Sequence, residues 1–418
     1  MRGEHEVVIT GLGVLSPIGL SLPELLASLL ENRSGIAQWT SPLLARSLPA
    51  GLIPRDFTSE FTRTELPYLD RCSQLALLAA RQAIDDAGIE SFRHFGPRAG
   101  LYFGSVGGGV MTEHEWVRRF YVERAQTARP TTIMASMLNA APAQISIRHQ
   151  VLGPVMTHSS ACTSSGAAIG DAMRAIRDGY LDIALAGGAE ASLTPTFVGL
   201  WGGLRALAEP HPEDVARSCR PFSRDRSGLV LSEGAALLVL ERRDLAEARG
   251  ARVYGTLRGY GVASDGHHIG SPSRSGQVAA LRAALDDARI GANEIAYVNA
   301  HATATAGGDP IEASALEEVL GAAPVSSTKA IHGHLLGAAS ALELMITTMA
   351  VHWRFLPATA FLEDADPACP LNHVGIRPRL DVEVPHALSL SAGFGGTNVA
   401  LIVSATSAQL TARGPGGP

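Results

Sequence analysis

Three kinds of side chain suited to acyl chemistry stand out in this chain of 418 residues: one cysteine, two histidines and one lysine. Cys162 lies in "THSSACTSSGAAIGDAM", directly ahead of a run of Ala, Ser, Gly and Ile that reads as a helix. Small residues let such a helix be buried with close backbone approach. A cysteine at its N-terminus feels the positive end of the peptide dipoles, which favours the thiolate. Cys72, Cys219 and Cys369 have the surroundings of inert thiols, so Cys162 alone has the context of a nucleophile. His301 follows the short apolar run "IAYVNA" and opens a loop of Thr, Ala and Gly, a placement that puts a side chain at the mouth of a site. His334, in "HGHLLGA", stands at the start of an apolar helix, whose surroundings and dipole would both keep the imidazole neutral. Lys329 is the only lysine beside 33 arginines. Either composition alone leaves it there, or the position needs a compact ammonium that a planar guanidinium cannot replace; the residues by themselves leave both readings open.

The elements that must position these groups alternate between short β-branched runs and longer amphipathic ones, which predicts an α/β architecture. "EVVITGL" reads as a strand, followed by the turn residues "GVLSPIG" and a helix through "LPELLASLLEN". "LDRCSQLALLAARQAIDDAG" has helical apolar spacing and a glycine stop. "GLYFGS" and "LDIALAGGAEA" read as buried strands. The rhythm repeats after about residue 250, with "RVYGTLRGYGVAS" and "IAYVNAH" as strands and "SGQVAALRAALDDARI" and "HLLGAASALELMITTMAVHW" as helices. "HALSLSAGFGGTNVALIVSA" reads as a glycine hairpin between buried strands, and the tail "TSAQLTARGPGGP" as frayed. A reactive segment ahead of a small-residue helix occurs in each part, which suggests an internal duplication.

Composition narrows the classes. With 46% hydrophobic and 18% charged residues, the chain is a globular protein with a large core. The cysteines show no metal-ligand or disulfide spacing, so neither a zinc site nor a disulfide framework is expected. A net charge of −6 without a basic stripe argues against nucleic acid as partner. No apolar run approaches the roughly 20 residues of a membrane span, and no signal peptide is evident, so a cytoplasmic location is expected.

One activated cysteine, two neutral histidines, a lysine and the glycine-rich "GFGGTN" make a consistent acyl-transfer apparatus. With "VVITGLGVLSPIG", "ACTSS", "RPFSRDRSGLVLSEGAALLVLE", "NAHATAT", "GDPIE", "SSTKAIHGHLLGAASALE" and "SAGFGGTN" in order, the chain resembles an elongating β-ketoacyl-acyl carrier protein synthase (ketosynthase) of the thiolase-like superfamily. The motifs cover nearly the whole chain.

The resemblance implies a five-layered α-β-α-β-α fold of two duplicated halves, residues 1–250 with the cysteine and 251–418 with the His/His/Lys set. It implies decarboxylative Claisen condensation. Cys162 holds the acyl chain, and His301 and His334 donate hydrogen bonds to the malonyl thioester carbonyl. Backbone N–H groups of Cys162 and Phe394 form the oxyanion hole. Lys329 orients the histidine loop and pairs with Glu343, and Asp309 and Glu312 of "GDPIE" support the site. Thr303 and Thr305 match positions that bind the phosphopantetheine arm, and Phe394 matches a gating aromatic between hinge glycines. Gly107 replaces a bulky aliphatic at the acyl-pocket floor, which predicts a longer or wider acyl space, and Trp201 replaces phenylalanine near the mouth. Arg205 matches a position near the pantetheine entrance, and Arg63, Arg71, Arg124 and Arg129 are further candidates for an acidic carrier protein. No metal or resident cofactor is implied; the phosphopantetheine comes with the acyl carrier protein.

Two departures from the family pattern, Ala302 in place of glycine and Ser232 in "SEGA", are read as not touching the catalytic set. A thiolase would need a second cysteine in "GFGGTN", and initiating ketosynthases use a His/Asn pair. A non-catalytic chain-length factor would lack Cys162. Two readings stay open for a catalytic subunit: a homodimer in fatty-acid synthesis, or a heterodimer with a chain-length-factor homologue in type II polyketide synthesis. Gly107 and the arginine-biased composition favour polyketide.

Overall fold

The computed structural model describes residues 5–407 except residue 45, together with residue 409. Apart from residues 406, 407 and 409, the tail expected to fray lies outside the described residues. Ten strands carry the architecture: β1 Val7–Leu15, β2 Ala99–Gly104, β3 Val155–His158, β4 Ile183–Glu190, β5 Gly234–Arg242, β6 Gly255–Ser264, β7 Tyr297–Asn299, β8 Pro324–Ser326, β9 His386–Ala392 and β10 Thr397–Ser404. The strand expected to end before "GVLSPIG" runs on to Leu15, because Gly11 to Leu15 stay in register with Ala235 to Val239 of β5.

The first five strands lie in the order β1-β5-β4-β2-β3 and the second five in the order β6-β10-β9-β7-β8. Each set is the same walk. The first two pairings are antiparallel and the last two parallel, in both halves. Identical order and direction in two consecutive runs is the signature of a duplicated unit. The halves join where Val7–Ile9 of β1 pair with Gly255–Leu257 of β6.

Helices complete the layers. α1 (Arg71–Asp86) and α2 (Ala140–His149) cover the outer side of the first set of strands. α5 (Arg274–Ala288) and α6 (Gly308–Leu320) cover the second, and a short α4 (Pro195–Gly203) stands near the site. Between them lie α3 (Ser164–Arg177) and α7 (Ala339–Trp353), each packed on strands of both halves and on each other. The result is α-β-α-β-α.

Sequence explains the central pair. Every residue from Ala339 to Val351 is buried, so α7 has no solvent face and none of the polar stripe that an outer helix needs. The small residues of α3 allow close approach: a Cβ on Gly166 would lie 3.0 Å from that of Ser340. At Gly104, on the end of β2, a Cβ would meet the Ser165 amide at 2.2 Å, so only glycine lets the strand abut the first turn of α3. The outer α1 is capped by Asp70, whose carboxylate accepts the Cys72 N–H at 2.9 Å. Among the described residues, no helix is long and apolar enough to cross a membrane.

Candidate active site

The first turn of α3 and the start of α7 meet at Cys162. The residue before it, Ala161, is held at φ 55°, a left-handed conformation that is costly for a non-glycine residue. Ser164 stabilises this turn, its hydroxyl donating to the Ala161 carbonyl at 2.6 Å and accepting the Ser160 N–H at 2.9 Å. From the other half, the Ser340 hydroxyl of α7 donates to the Cys162 carbonyl at 2.9 Å. The nucleophile therefore sits on a strained turn pinned by both central helices.

His334 Nε2 lies 2.9 Å from Cys162 Sγ. The His301 ring stands edge-on to His334, with centroids 5.3 Å apart. β7 stops at Asn299, shorter than "IAYVNAH" suggests, because the chain turns to give the His301 and Ala302 N–H groups to the Glu312 carboxylate at 2.6 and 2.7 Å. Lys329 Nζ reaches His301 Nδ1 at 3.4 Å and pairs with the Glu343 carboxylate, all of it out of water. An ammonium has only protons to offer, so Nδ1 is the acceptor and the His301 proton resides on Nε2. Lys329 thus sets the tautomer. Burial and the Lys329 charge hold His301 and His334 well below the usual histidine range, so both rings are neutral.

The Cys162 thiol departs from expectation. Burial pushes it up to about 12, and the nearby Lys329 charge offsets only part of that rise. The helix dipole does not make a resting thiolate here, because the desolvation of a buried anion outweighs partial charges at a helix end. The thiol proton has an acceptor instead, in neutral His334.

Burial likewise raises the carboxyls around the histidines. Glu343 is pushed to about 7 and Asp309 to about 6, and Glu312, also repelled by Asp309, to about 8. Asp309, in the first turn of α6, accepts the Phe222 N–H at 2.8 Å and ties that helix to the first half of the chain.

A cavity of about 600 Å³ opens onto the three catalytic candidates, with Thr303, Thr305, Trp201 and Phe394 on its wall. The Thr303 and Thr305 hydroxyls are 3.3 Å apart. The Phe394 ring stacks on Trp201, centroids 5.5 Å apart and planes 25° from parallel. Gly395 and Gly396 follow at φ 86° and 83°, backbone that a side chain would strain, so the aromatic is carried on a glycine hinge. Its neighbour Gly393 packs so closely that a Cβ there would lie 3.4 Å from the Cys162 amide nitrogen, which brings the loops expected to form the oxyanion hole side by side.

Several expectations need correction. Gly107 does not line this cavity: its amide donates to Glu190 at 3.0 Å, and a Cβ there would meet Ser192 Oγ at 2.3 Å. The space beside Gly107 is occupied by Ser192 and Glu190 rather than by this cavity. Arg71 is committed elsewhere, gripping the buried Glu233 carboxylate through Nε and Nη2 at 2.6 and 2.8 Å, and cannot also serve a carrier protein. Arg63, Arg124, Arg129 and Arg205 are exposed; of these only Arg205 adjoins cavity residues, Leu204 and Ala206. The two departures from the family pattern adjoin the site only through backbone N–H groups, which glycine would supply as well. The Ser232 N–H donates to the His334 carbonyl at 3.0 Å, and the Ala302 N–H is one of the two that Glu312 accepts.

Residues 4–246 match the family described as "Beta-ketoacyl synthase, N-terminal domain", and residues 254–363 match "Beta-ketoacyl synthase, C-terminal domain". This chain belongs to the β-ketoacyl synthase family. It is 34% identical over 415 residues to "3-oxoacyl-[acyl-carrier-protein] synthase 2" of Coxiella burnetii, covering 96% of this chain and 99% of the relative. It superposes on "The ishigamide ketosynthase/chain length factor" with a TM-score of 0.88 and 32% identity, covering 97% of this chain and all of that one. A type II PKS acyl-carrier protein in complex with its hexaketide-bound ketosynthase contains a chain matching at TM-score 0.87 and 27% identity, covering 96% of this chain and all of that one. The fold is the thiolase-like one, and the enzyme is an acyltransferase that condenses acyl chains with malonyl-acyl carrier protein.

A cysteine sulfur, once deprotonated, and two imidazoles are also a soft donor set. The ligand atoms of Cys162, His301 and His334 all lie within 4.8 Å of one another, a spacing that suits zinc. A bound ion would occupy the same nitrogen and sulfur atoms that the condensation uses. Added Zn²⁺ is therefore expected to inhibit this synthase reversibly, with activity restored by a chelator; activity that rises with Zn²⁺ would contradict this arrangement.

Proposed function

We propose that this synthase is the catalytic subunit of a type II polyketide system, extending an acyl chain by two carbons per cycle beside a homologous chain-length-factor partner. The observation that carries this reading is its likeness, over nearly the full chain, to a ketosynthase/chain length factor and to a type II PKS ketosynthase. The surface supports a protein partner: the edge strand β3 exposes Val155 and Met156, and Ile133, Met134, Met137 and Leu138 are also exposed. Apolar side chains exposed on an open strand edge are a liability unless another subunit covers them.

In this mechanism the two halves, residues 1–250 and 251–418, supply nucleophile and histidines respectively. Cys162 Sγ attacks the acyl thioester as its proton passes to His334 Nε2. The imidazolium so formed gives up its Nδ1 proton to water while the pantetheine thiolate leaves and takes one from water, so neutral His334 now carries Nε2–H. Malonyl-carrier protein then enters, with Thr303 and Thr305 along its pantetheine arm and Arg205 near the docking face. His301 and His334 donate Nε2–H to the thioester oxygen, stabilising the enolate as CO₂ departs. The enolate carbon attacks the acyl-Cys162 carbonyl, Sγ leaves and takes the His334 Nε2 proton as water reprotonates Nδ1, and the lengthened β-keto chain stays on the carrier. The steps require no resident metal or redox cofactor, because the charge that develops is met by N–H donors and CO₂ loss supplies the carbanion.

Two results test the reading. Because burial and the Lys329 charge hold both imidazoles well below the usual range, the NMR ring signals of His301 and His334 should stay those of neutral imidazoles from about pH 8 to about pH 6, while the raised carboxyls around them titrate. Ring signals that titrate near about 6.5, the ordinary histidine value, would contradict the neutral pair. The pathway is tested by assaying the chain alone and co-expressed with a homologue lacking the cysteine. Extension only in the pair supports the polyketide assignment, and full extension by the lone protein as a homodimer assigns it to fatty-acid elongation instead.

A further inference from the structure

Glu190 ends β4 fully buried, and four donors converge on its carboxylate. Oε2 accepts the Val106 N–H at 2.9 Å and the Gly337 N–H at 3.2 Å. Oε1 accepts the Gly107 N–H at 3.0 Å and the Ser192 hydroxyl at 2.5 Å. Three of the partners are backbone N–H groups that can only donate, and although burial raises this carboxyl above its ordinary range, these hydrogen bonds offset part of that rise. No cation pairs with it among the described ion pairs, so the carboxyl is held by N–H and O–H groups alone.

Those donors come from two distant stretches. Val106 and Gly107 belong to the loop after β2, and Gly337 belongs to the turn that follows His334. That turn is strained, with Leu336 at φ 48°. The two backbones are in contact, since a Cβ on Gly337 would lie 2.7 Å from the Val106 nitrogen. On its other side, His334 is held by the backbone of the 230–232 segment, giving its N–H to the Val230 carbonyl at 2.7 Å. The catalytic ring is thus fixed from one side by β-type backbone pairing and from the other by a turn that Glu190 clamps.

We propose that Glu190 is a positioning residue of the condensation, clamping the 336–338 turn onto the loop after β2 and so holding His334 against Cys162. It touches no reacting atom and acts through His334. This rests on the assignment of His334 to the malonyl step.

The test is a double-mutant cycle on malonyl-carrier decarboxylation in the full-length synthase. Glu190→Gln keeps the volume but turns an NH₂ toward two of the four donors, and is expected to lower kcat about tenfold with KM unchanged. In a His334→Ala background the same change should cost nothing further, because both losses pass through one ring. Full-stoichiometry acylation of Cys162 at long times, read by intact mass, shows that the variant is folded. Gly107→Ala, whose Cβ would press on Glu190 Oε1 at 2.8 Å, provides a second variant with the same expected pattern. Wild-type kcat in Glu190→Gln, or losses that multiply in the double variant, would overturn the proposal. If His334→Ala itself decarboxylates like the wild type, the role of His334 fails first and this inference falls with it.

Discussion

Replacing Cys162 with alanine should leave a protein that can no longer be acylated and whose condensation falls by at least about 10⁴-fold, below detection in ordinary assays. The side chain is the one thiol among the residues of the cavity wall, presented by a strained turn and faced by His334 Nε2 at 2.9 Å. Fold and stability should hardly change, because an alanine methyl fits where the cysteine Cβ lies and the backbone bonds of the turn remain. Malonyl decarboxylation should survive, since it uses the two imidazoles and not the thiol. Intact mass after incubation with acyl-carrier protein, together with CO₂ release from malonyl-carrier protein, separates the two functions. A Cys162→Ala protein that still condenses would remove the nucleophile from the account.

The second large effect is expected at Lys329. Its side chain and that of Glu343 are wholly inaccessible, so removing the ammonium leaves a carboxyl buried without its partner. Breaking such a pair costs about 3–5 kcal/mol. Burial raises Glu343 to about 7 even with the lysine present. The sign of the pH dependence follows: a carboxyl raised in the folded state is comfortable when protonated below its ordinary range, and its contribution is lost as pH rises through the folded value. Lys329→Ala should therefore be close to wild-type stability near about pH 5 and lose most above about pH 7. Its decarboxylation should also fall about 100-fold, because the His301 tautomer is no longer set. Lys329→Arg should not rescue it, because a planar guanidinium overfills a site with no exposure to swing into. Thermal unfolding at the two pH values, with CO₂ release, checks this. Arginine restoring full activity would return the lone lysine to an accident of composition.

How much of this was legible depends on where each signal lives. Cys162, His301, His334 and Lys329 stand in motifs whose residue types and order carry the chemistry, and the structure brings all four together. The duplicated α/β layout was visible as a repeated rhythm, although only strand order and direction prove that the halves are the same walk. What could not be read was set by three-dimensional neighbours. The thiol of Cys162 rises because of burial, which a helix-end argument from sequence does not see. Gly107 looked like a vacated pocket floor, but its missing Cβ would collide with Ser192. Ser232 and Ala302 stand beside the catalytic loops, but they hold them through backbone N–H groups that glycine would supply equally. Glu190 gave no signal beyond a strand end, because its donors lie 83, 84 and 147 positions away apart from nearby Ser192. An acidic residue closing a wholly apolar strand is the one hint the sequence offered, since a buried carboxylate must find partners.

The central claim is an acyl chain on Cys162 that a malonyl unit extends. The most direct test is intact-mass spectrometry of the purified synthase with a panel of acyl-carrier proteins, followed by malonyl-carrier protein, with and without a co-expressed chain-length-factor homologue. The account predicts one acyl adduct, mapped to Cys162, that disappears as a β-keto product two carbons longer forms on the carrier. No adduct with any donor, or an adduct on another residue, would contradict it.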